Sequence, residues 1–319
     1  MHSPTSNKRG VMDSPIEGRD KAVSARAVQP PLIVALRTVF RVLGVIAPGV
    51  AARLAHYLWF RPQRHTPPAR EQALLMQARC HPRTFGMKRV SVYTWGAGPA
   101  VLLVHGWSGR GAQLAEFVTP LVDAGYRVVT FDAPGHGRSD GHETSLLEVA
   151  EIIRSLAHEF APMPVVIAHS FGVACALYAL QSEPFARRFV ALSPPATMTG
   201  LLQKFAVPLG LSRRTIELFR AILARRFGDD LWDRLSAATM ARTMALPALV
   251  IHDRDDLDVP WTEGEAVANA WPGARFIRTE GLGHRRLLRH PAVIARVVEF
   301  IGTRSTAASR LPPALEEVS

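Results

Sequence analysis

Cysteine is scarce in this sequence of 319 residues, which contains only Cys80 and Cys175. Two cysteines cannot build the set of disulfides that holds small secreted domains together, and neither has the spacing of a metal ligand. No cluster of histidine and carboxylate residues suggests a metal site either. We therefore expect both cysteines to be packing residues in a chain without a metal or other cofactor. A reducing, cytoplasmic compartment fits this composition.

Long uninterrupted apolar runs are also missing. The most apolar stretch, 31–60, is interrupted by Arg37, Arg41 and Arg53. It therefore falls short of the roughly 20 consecutive apolar residues that a helix needs to span a bilayer. A secretory signal peptide would need a cleaner apolar core nearer to the first residue. The sequence thus argues against both a spanning helix and a signal peptide.

Acidic residues are few in the first part of the chain. Residues 1–95 contain 15 Lys or Arg and 4 Asp or Glu, whereas the remaining residues contain 23 of each kind. The formal net charge of +11 therefore belongs to the N-terminal part, and the rest of the chain is neutral. A basic segment can contact an anionic membrane or nucleic acid, but no nucleic-acid-binding motif accompanies it. We expect no nucleic-acid partner.

The N-terminal part divides into two segments. Residues 1–30 are rich in serine, proline and charge without an apolar period, which predicts a disordered basic tail. Residues 31–85 form a predicted helical extension with a break at Pro48 and Gly49. The apolar side predicted for its first helix consists of Leu32, Ile33, Leu36, Val39, Phe40, Leu43 and Ile46. Three interpretations stay open: packing on the following domain, which we favour, peripheral contact of residues 31–62 with an anionic membrane, or a cleaved leader.

Strands and helices alternate from residue 86 onwards. Strand patterns cover 89–94, 100–105, 127–132, 165–169, 189–192, 248–252 and 274–279. Helical patterns cover 111–124, 145–159, 171–181, 262–270 and 291–301. This alternation predicts an α/β fold in segments 86–195 and 245–302, with a mostly parallel sheet covered by helices on both faces. Residues 196–244 interrupt it with helical segments at 201–209, 214–227 and 229–241, and residues 303–319 form a C-terminal tail.

One serine stands at a corner between a predicted strand and a predicted helix. Ser170 follows the buried strand 165–169 and precedes small and apolar residues with helical spacing. Ala168 and Gly172 hold the two small positions of the Gly-x-Ser-x-Gly pattern, with alanine in place of the first glycine. Such a corner exposes the serine hydroxyl at the carboxyl edge of a parallel sheet, where ligands bind.

A serine hydroxyl needs a base and an orienting carboxylate before it can act as a nucleophile. Both residue types follow later predicted strands, with Asp256 after 248–252 and His284 after 274–279. Other histidines have structural interpretations. His105 and His136 belong to tight turns, and strand alternation predicts that the side chain of His169 points away from Ser170.

Residues 86–302 resemble the α/β-hydrolase superfamily in several separated motifs. The His-Gly-x segment after the third strand is His105-Gly106-Trp107-Ser108-Gly109. The Asp-x-x-Gly-x-Gly-x-Ser turn lies in Phe131-Asp132-Ala133-Pro134-Gly135-His136-Gly137-Arg138-Ser139. The segment that leads into a lid is Ser193-Pro194-Pro195. The chain order of Ser170, Asp256 and His284 is also the order found in that superfamily.

The resemblance implies a serine hydrolase with Ser170 as the nucleophile, Asp256 as the acid and His284 as the base. Asp256 stands four residues before Pro260, as in the family pattern Gly-x-x-Asp-x-x-Val-Pro, although aspartate replaces the glycine. The alternatives for the acid are Asp253 and Asp258. The resemblance also implies that the amides of Trp107 and Phe171 form the oxyanion hole.

The same resemblance makes the insertion 196–244 a helical lid. Its surplus of apolar residues predicts a pocket for an apolar acyl or alkyl group, lined by Trp107, Phe205, Phe219 and Trp232. The expected partner is a small-molecule ester, with carboxylester hydrolysis as the leading reaction. Thioesterase, lactonase, amidase, C–C hydrolase and acyltransferase reactions use the same residues and stay open.

Other reactions of this fold and a non-catalytic role are the alternatives to a serine hydrolase. Epoxide and haloalkane chemistry on this fold uses an aspartate nucleophile, and epoxide opening also uses lid tyrosines. The chain has a serine at that position and no tyrosine in 196–244, which disfavours both. A non-catalytic, membrane-peripheral binding module is the alternative from another class. The oligomeric state is not predicted.

Overall fold

The computed structural model describes residues 16–17 and 31–302. The predicted tails 1–30, apart from residues 16–17, and 303–319 lie outside the described residues. The predicted α/β architecture is present, and its central sheet positions the candidate site.

The main sheet contains nine strands in the order β1-β11-β10-β9-β8-β6-β7-β5-β2, and β3 and β4 form a separate hairpin. In chain order the strands are β1 Ile16–Glu17, β2 Arg79–Cys80, β3 Arg83–Phe85, β4 Lys88–Val90, β5 Val92–Trp95, β6 Ala100–Val104, β7 Arg127–Phe131, β8 Val165–His169, β9 Arg188–Leu192, β10 Ala248–Asp253 and β11 Arg275–Glu280. All neighbours in the main sheet are parallel except β5, which is antiparallel to β2 and β7. The carboxyl ends of the parallel strands therefore meet at one edge.

Helices cover both faces of this sheet. They are α1 Pro31–Ile46, α2 Pro48–Trp59, α3 Ala69–Gln77, α4 Val118–Asp123, α5 Leu146–Glu159, α6 Phe171–Ser182, α7 Met198–Leu209, α8 Arg213–Phe227, α9 Leu231–Arg234, α10 Ala237–Ala241, α11 Trp261–Ala270, α12 Gly283–Arg286 and α13 Pro291–Gly302, with 3-10 helices at Gly111–Phe117 and Leu287–Arg289. Strand β8 shows why both faces are covered, since Val166 packs in one buried cluster and Val165 and Ile167 in the other. A strand buried on both faces is apolar throughout, as the sequence of β8 is.

Three predicted elements are divided in the structure. The predicted strand 89–94 is split at Ser91, because β4 pairs with β3 whereas β5 pairs with β7. The predicted helix 111–124 begins as a 3-10 helix. The predicted segment 229–241 contains two short helices, α9 and α10. Between them Ser236 donates a hydrogen bond to Trp232 O, and a side chain bonded in this way competes with the helical backbone.

Helices α1 and α2 of the N-terminal extension pack on α7 and α8 of the insertion. Three small residues of α2 are fully buried, namely Ala51, Ala52 and Ala55, which permits close approach of neighbouring helices. The buried side of α1 differs from the prediction: Phe40 is buried and Ile33, Leu36 and Leu43 are half-buried, whereas Leu32, Val39 and Ile46 are exposed. Burial thus covers only part of the predicted apolar side, because the side that carries Arg37 also faces α7, where Arg37 Nε donates to Pro208 O at 2.9 Å.

Polar contacts also fix the N-terminal extension to the central domain. The guanidinium of Arg64 donates to the backbone oxygens of Ser139 at 2.6 Å and Gly141 at 2.8 Å. Glu71 and Arg110 form a buried ion pair. Because the desolvated charges satisfy each other, this contact holds α3 against the 3-10 helix that starts at Gly111.

Candidate functional site

Ser170 lies on the turn between β8 and α6, at the carboxyl edge of the sheet. Its backbone has φ 52° and ψ −125°, a region that non-glycine residues rarely adopt. The turn needs small neighbours, because a Cβ on Gly172 would lie 2.5 Å from His105 O and one on Gly106 would lie 3.0 Å from Ser170 Cβ. These contacts explain both glycines. The strained corner presents the serine at the site that the sequence predicted.

Asp256 and His284 are joined directly, with 2.7 Å between Asp256 Oδ2 and His284 Nδ1. The other carboxylate oxygen, Oδ1, accepts hydrogen bonds from the amides of Asp258 and Val259, each at 2.8 Å. Burial would raise the pKa of Asp256, but hydrogen bonds from His252 and His284 hold this pKa well below its usual range. Asp256 is therefore a carboxylate. Since Nδ1 of His284 donates to it, Nε2 of that ring is free to accept a proton.

The two alternative acids have other contacts. Asp253 is fully buried, and its carboxylate accepts hydrogen bonds from Thr279 Oγ1 at 2.6 Å and from the amide of Gly283 at 2.7 Å. It thus holds the loop that carries His284. Asp258 lines the adjoining cavity but makes no hydrogen bond to His284 within the described residues. The aspartate that contacts the imidazole is the one that the resemblance to the family pattern before Pro260 implied.

Ser170 and His284 line the same cavity, and His169 connects the two parts of the chain. The His169 ring packs on the His284 ring with centroids 4.6 Å apart, and its Nε2 donates to His284 O at 3.1 Å. Burial, followed by the neighbouring His284, lowers the pKa of His169 well below its usual value, which keeps this ring neutral. The prediction that His169 points away from the site is wrong, because Ser170 lies beyond the end of the strand, where side-chain alternation no longer applies.

The backbone N–H groups of Trp107 and Phe171 make no hydrogen bond within residues 31–302. Trp107 follows β6, and Phe171 begins α6 directly after Ser170. Their side chains pack edge to face with centroids 5.2 Å apart and both line the cavity. Two free amides beside a serine can stabilise an oxyanion.

Two neutral histidines hold the loop that carries Trp107. His105 Nδ1 donates to Gly106 O at 2.8 Å, and its Nε2 accepts from the amide of Ala133 at 3.0 Å. His136 Nε2 accepts from the amide of Ser108 at 3.0 Å, next to Trp107. Burial, aided by the neighbouring His105, lowers the pKa of His136 to about 3. Both rings therefore act as neutral connectors, in line with the structural interpretation from the sequence.

The cavity has a volume of about 510 Å³ and a mostly apolar lining. Of the four residues predicted to line it, Trp107 and Phe205 do so, whereas Phe219 and Trp232 do not. Phe219 is fully buried and packs against Trp59 and Phe205, with ring centroids 5.7 and 6.0 Å away. The Trp232 ring is covered by the Arg220 guanidinium at 3.9 Å.

Sequence reasoning missed the contribution of the N-terminal extension to this cavity. Part of the apolar wall comes from α1 and α2 and the residue after α2, namely Ile33, Leu36, Leu58, Trp59 and Phe60. The available signal was the apolar character of 31–60, which the sequence alone could not connect to the site.

The described residues contain neither a metal site nor a membrane-spanning helix. Histidine, cysteine and carboxylate side chains form no group of three or more that could hold a metal ion in this part of the chain. Among its helices, none is both long enough and apolar enough to cross a bilayer.

Comparison with known proteins places this geometry in a family. The chain is 27% identical over 242 residues to a pimeloyl-[acyl-carrier protein] methyl ester esterase of Xanthomonas campestris, covering 64% of this chain and 94% of that protein. Its fold is similar to that of an esterase from Pyrococcus furiosus, with a TM-score of 0.57, 19% identity and coverage of 76% and 98%. A bacterial membrane phospholipase A is similar with a TM-score of 0.56, 16% identity and coverage of 84% and 96%.

The family match covers most of the central domain. Residues 101–297 match the alpha/beta hydrolase family, and they include Ser170, Asp256 and His284. The match confirms the fold and the family that the separated motifs indicated. Because it spans more than half of the sequence, the chain belongs to the alpha/beta hydrolase family.

Proposed function

We propose that this protein is a serine esterase in which Ser170 is the nucleophile, His284 the general base and Asp256 the orienting acid. The observation that carries the proposal is the 2.7 Å bond between Asp256 Oδ2 and His284 Nδ1, at a cavity that is also lined by Ser170 on its strained turn. A carboxylate–imidazole pair of this kind fixes the tautomer that can take the proton of a serine hydroxyl.

The reaction proceeds through an acyl-enzyme. Ser170 Oγ attacks the ester carbonyl carbon while His284 Nε2 takes its proton, and the amides of Trp107 and Phe171 stabilise the oxyanion. His284 then returns the proton to the leaving alcohol as the carbonyl re-forms. Water attacks the acyl-enzyme with His284 again as base, which releases the carboxylic acid and restores Ser170.

The cavity favours an ester with a largely apolar acyl or alkyl group. Phe171, Phe205 and Trp107 contribute aromatic surface, and the insertion 196–244 together with α1 and α2 supplies most of the remaining apolar wall. We propose that this insertion acts as the lid of the cavity. The Xanthomonas relative carries the name of an esterase acting on an acyl-carrier-bound methyl ester, which supports ester chemistry here. Thioester, lactone or C–C bond cleavage and acyl transfer use the same residues.

A panel of p-nitrophenyl esters tests the proposed function, since it reports ester cleavage directly and varies acyl length. We expect hydrolysis of the shorter esters, with kcat/KM increasing with chain length until the acyl group fills the cavity, and complete loss after treatment with a fluorophosphonate. Parallel assays with thioester, lactone and alcohol acceptor substrates separate the related reactions. Absence of hydrolysis of every ester, with no fluorophosphonate labelling, would favour a non-catalytic binding module.

We further propose that the N-terminal extension binds the surface of an anionic membrane. The outer face of α1 is exposed, with Val45 and Ile46 exposed by 83% and 72%, and its apolar members are Leu32, Val34, Val39, Val42, Val45 and Ile46. A helix that exposes this many large apolar side chains is characteristic of an interaction site. The exposed Arg41 and Arg53 and the positive net charge of residues 1–95 complement anionic lipid headgroups.

Replacing Val42, Val45 and Ile46 together with serine should weaken binding to phosphatidylglycerol vesicles about tenfold or more, because the apolar area that enters the lipid is lost. Hydrolysis of a soluble short-chain ester should stay unchanged. Vesicle flotation gives the measurement, and a Met76→Ser/Met87→Ser variant, which alters two other exposed side chains, is the control. A wild type that ignores anionic vesicles, or that covers this face by self-association in gel filtration, would contradict the proposal.

A further inference from the structure

A second histidine contacts the carboxylate of Asp256. His252 is on β10, four residues before Asp256, and its side chain is fully buried. Its Nε2 lies 3.2 Å from Asp256 Oδ2 and 3.0 Å from Val259 O. Since a carbonyl oxygen can only accept, Nε2 carries a proton and donates it to Val259 O, and Asp256 Oδ2 lies close to the same nitrogen.

The carboxylate is thereby held from both ends. Oδ1 accepts the amides of Asp258 and Val259, whereas Oδ2 faces the rings of His252 and His284. His252 also binds Val259 O, so one imidazole fixes both the carboxylate and the backbone of the loop that carries it. Among the described residues, His284 and His252 are the side-chain partners of Oδ2.

The other nitrogen of His252 shows how tightly the ring is enclosed. Nδ1 is buried and has no hydrogen-bond partner within the described residues. It faces Gly264 of α11, where a Cβ would lie only 2.2 Å from Nδ1. Helix α11 therefore approaches the ring closely enough to fix its position, and any side chain at 264 would displace it.

We propose that His252 is a positioning residue of the esterase, which directs Asp256 Oδ2 toward His284 by holding the far side of the carboxylate. This inference rests on the proposed function, because it assigns His252 a role in the same reaction. The ring does not touch the substrate cavity, whose lining omits His252. Its effect reaches the reaction only through Asp256 and then His284.

The position of the carboxylate matters because small errors in catalytic geometry reduce rates strongly. A displacement of about 1 Å, even from a change outside the reacting groups, can lower a rate by about 100-fold. Without His252, the base His284 is the only side chain left in contact with Oδ2 within the described residues, and Val259 O loses its hydrogen bond to β10. The Asp256 carboxylate and the His284 ring could then shift together, so that the carboxylate would no longer fix the position of the ring.

Two substitutions separate positioning from packing. His252→Leu retains a similar volume without a donor, whereas His252→Gln can place an amide N–H near the position of Nε2. Per active site titrated with a fluorophosphonate, kcat of the leucine variant for a p-nitrophenyl ester should fall about 10- to 100-fold with KM within about twofold. The glutamine variant should stay within about threefold of wild type.

A third variant displaces the ring without altering a polar group. Gly264→Ala should favour the helix in its own right, because alanine has a higher helix propensity than glycine. Because its Cβ would lie 2.2 Å from His252 Nδ1, the ring must move, and kcat should nevertheless fall with KM preserved. The far-downfield proton resonance expected for the Asp256–His284 bond should shift in His252→Leu and Gly264→Ala and remain in His252→Gln.

The outcomes distinguish this inference from the proposed function. A labelled, active wild type together with a leucine variant of unchanged kcat would overturn the positioning role alone. Equal losses in the leucine and glutamine variants, matched by equal falls in thermal stability, would also overturn it in favour of packing. A wild type that is neither labelled nor active on esters would overturn the proposed function, and the positioning role with it.

Discussion

The Ser170→Ala variant should hydrolyse p-nitrophenyl esters with kcat lowered by about 10⁴-fold or more, because no other hydroxyl on the β8–α6 turn can form the acyl-enzyme. Residual activity would come from the amides of Trp107 and Phe171, which still polarise the ester carbonyl. The substrate cavity remains, so KM for residual turnover should change little. Steady-state kinetics on protein free of wild-type contamination gives the measurement.

Ser182→Ala is the matched control for this substitution. Ser182 lies at the other end of α6, and its hydroxyl donates to Tyr178 O at 3.2 Å. This exposed serine lies far along the helix from the turn, so its loss should leave kcat within about twofold of wild type. Retention of substantial ester hydrolysis by Ser170→Ala would show that another group is the nucleophile.

The Asp256→Asn variant should lose about 10⁴-fold in kcat with the fold retained, because an amide at this position stabilises the wrong tautomer of His284. The buried carboxylate accepts hydrogen bonds from His284 and from the amides of Asp258 and Val259, whereas the NH2 group of an asparagine cannot accept any of them.

The pKa of Asp256 lies well below its usual range. Its ionised form therefore stabilises the fold above the unfolded carboxyl pKa, and this contribution is lost as the pH falls through the lower folded value.

Asp255→Asn supplies the matched control within the same loop. Asp255 is exposed, and its carboxylate accepts the amide of Gly281 at 2.9 Å without contacting His284. Its kcat should stay within about threefold of wild type. If Asp255→Asn lost as much activity as Asp256→Asn, the loss would follow from disruption of the loop rather than from removal of the acid.

Much of the candidate site could be predicted because its residues stand where strands end. The apolar run of β8 and the small residues around it predicted the turn at Ser170, and such a local pattern is determined by backbone geometry. The choice of Asp256 among four nearby aspartates came from the resemblance to the family pattern that ends at Pro260. The parallel sheet then brings the strand ends to one edge, so distant residues in the sequence meet.

The parts that could not be predicted depend on tertiary packing. The role of His169 depends on a turn with φ 52° at Ser170, where the alternation of a strand ends. Helix α1 has an apolar side in its sequence, but the side that carries Arg37 also faces α7, where Arg37 Nε donates to Pro208 O at 2.9 Å. Phe219 and Trp232 have the composition of pocket residues, but contacts with Trp59 and Arg220 occupy them instead. The contact of His252 with Asp256 likewise depends on how the loop after β10 folds back.

Mass spectrometry of the protein after reaction with a fluorophosphonate tests the role of Ser170 most directly. We expect one adduct per chain, located on the peptide that contains Ser170, and none on the Ser170→Ala variant. An adduct on a different serine, or equal labelling of wild type and Ser170→Ala, would contradict this role.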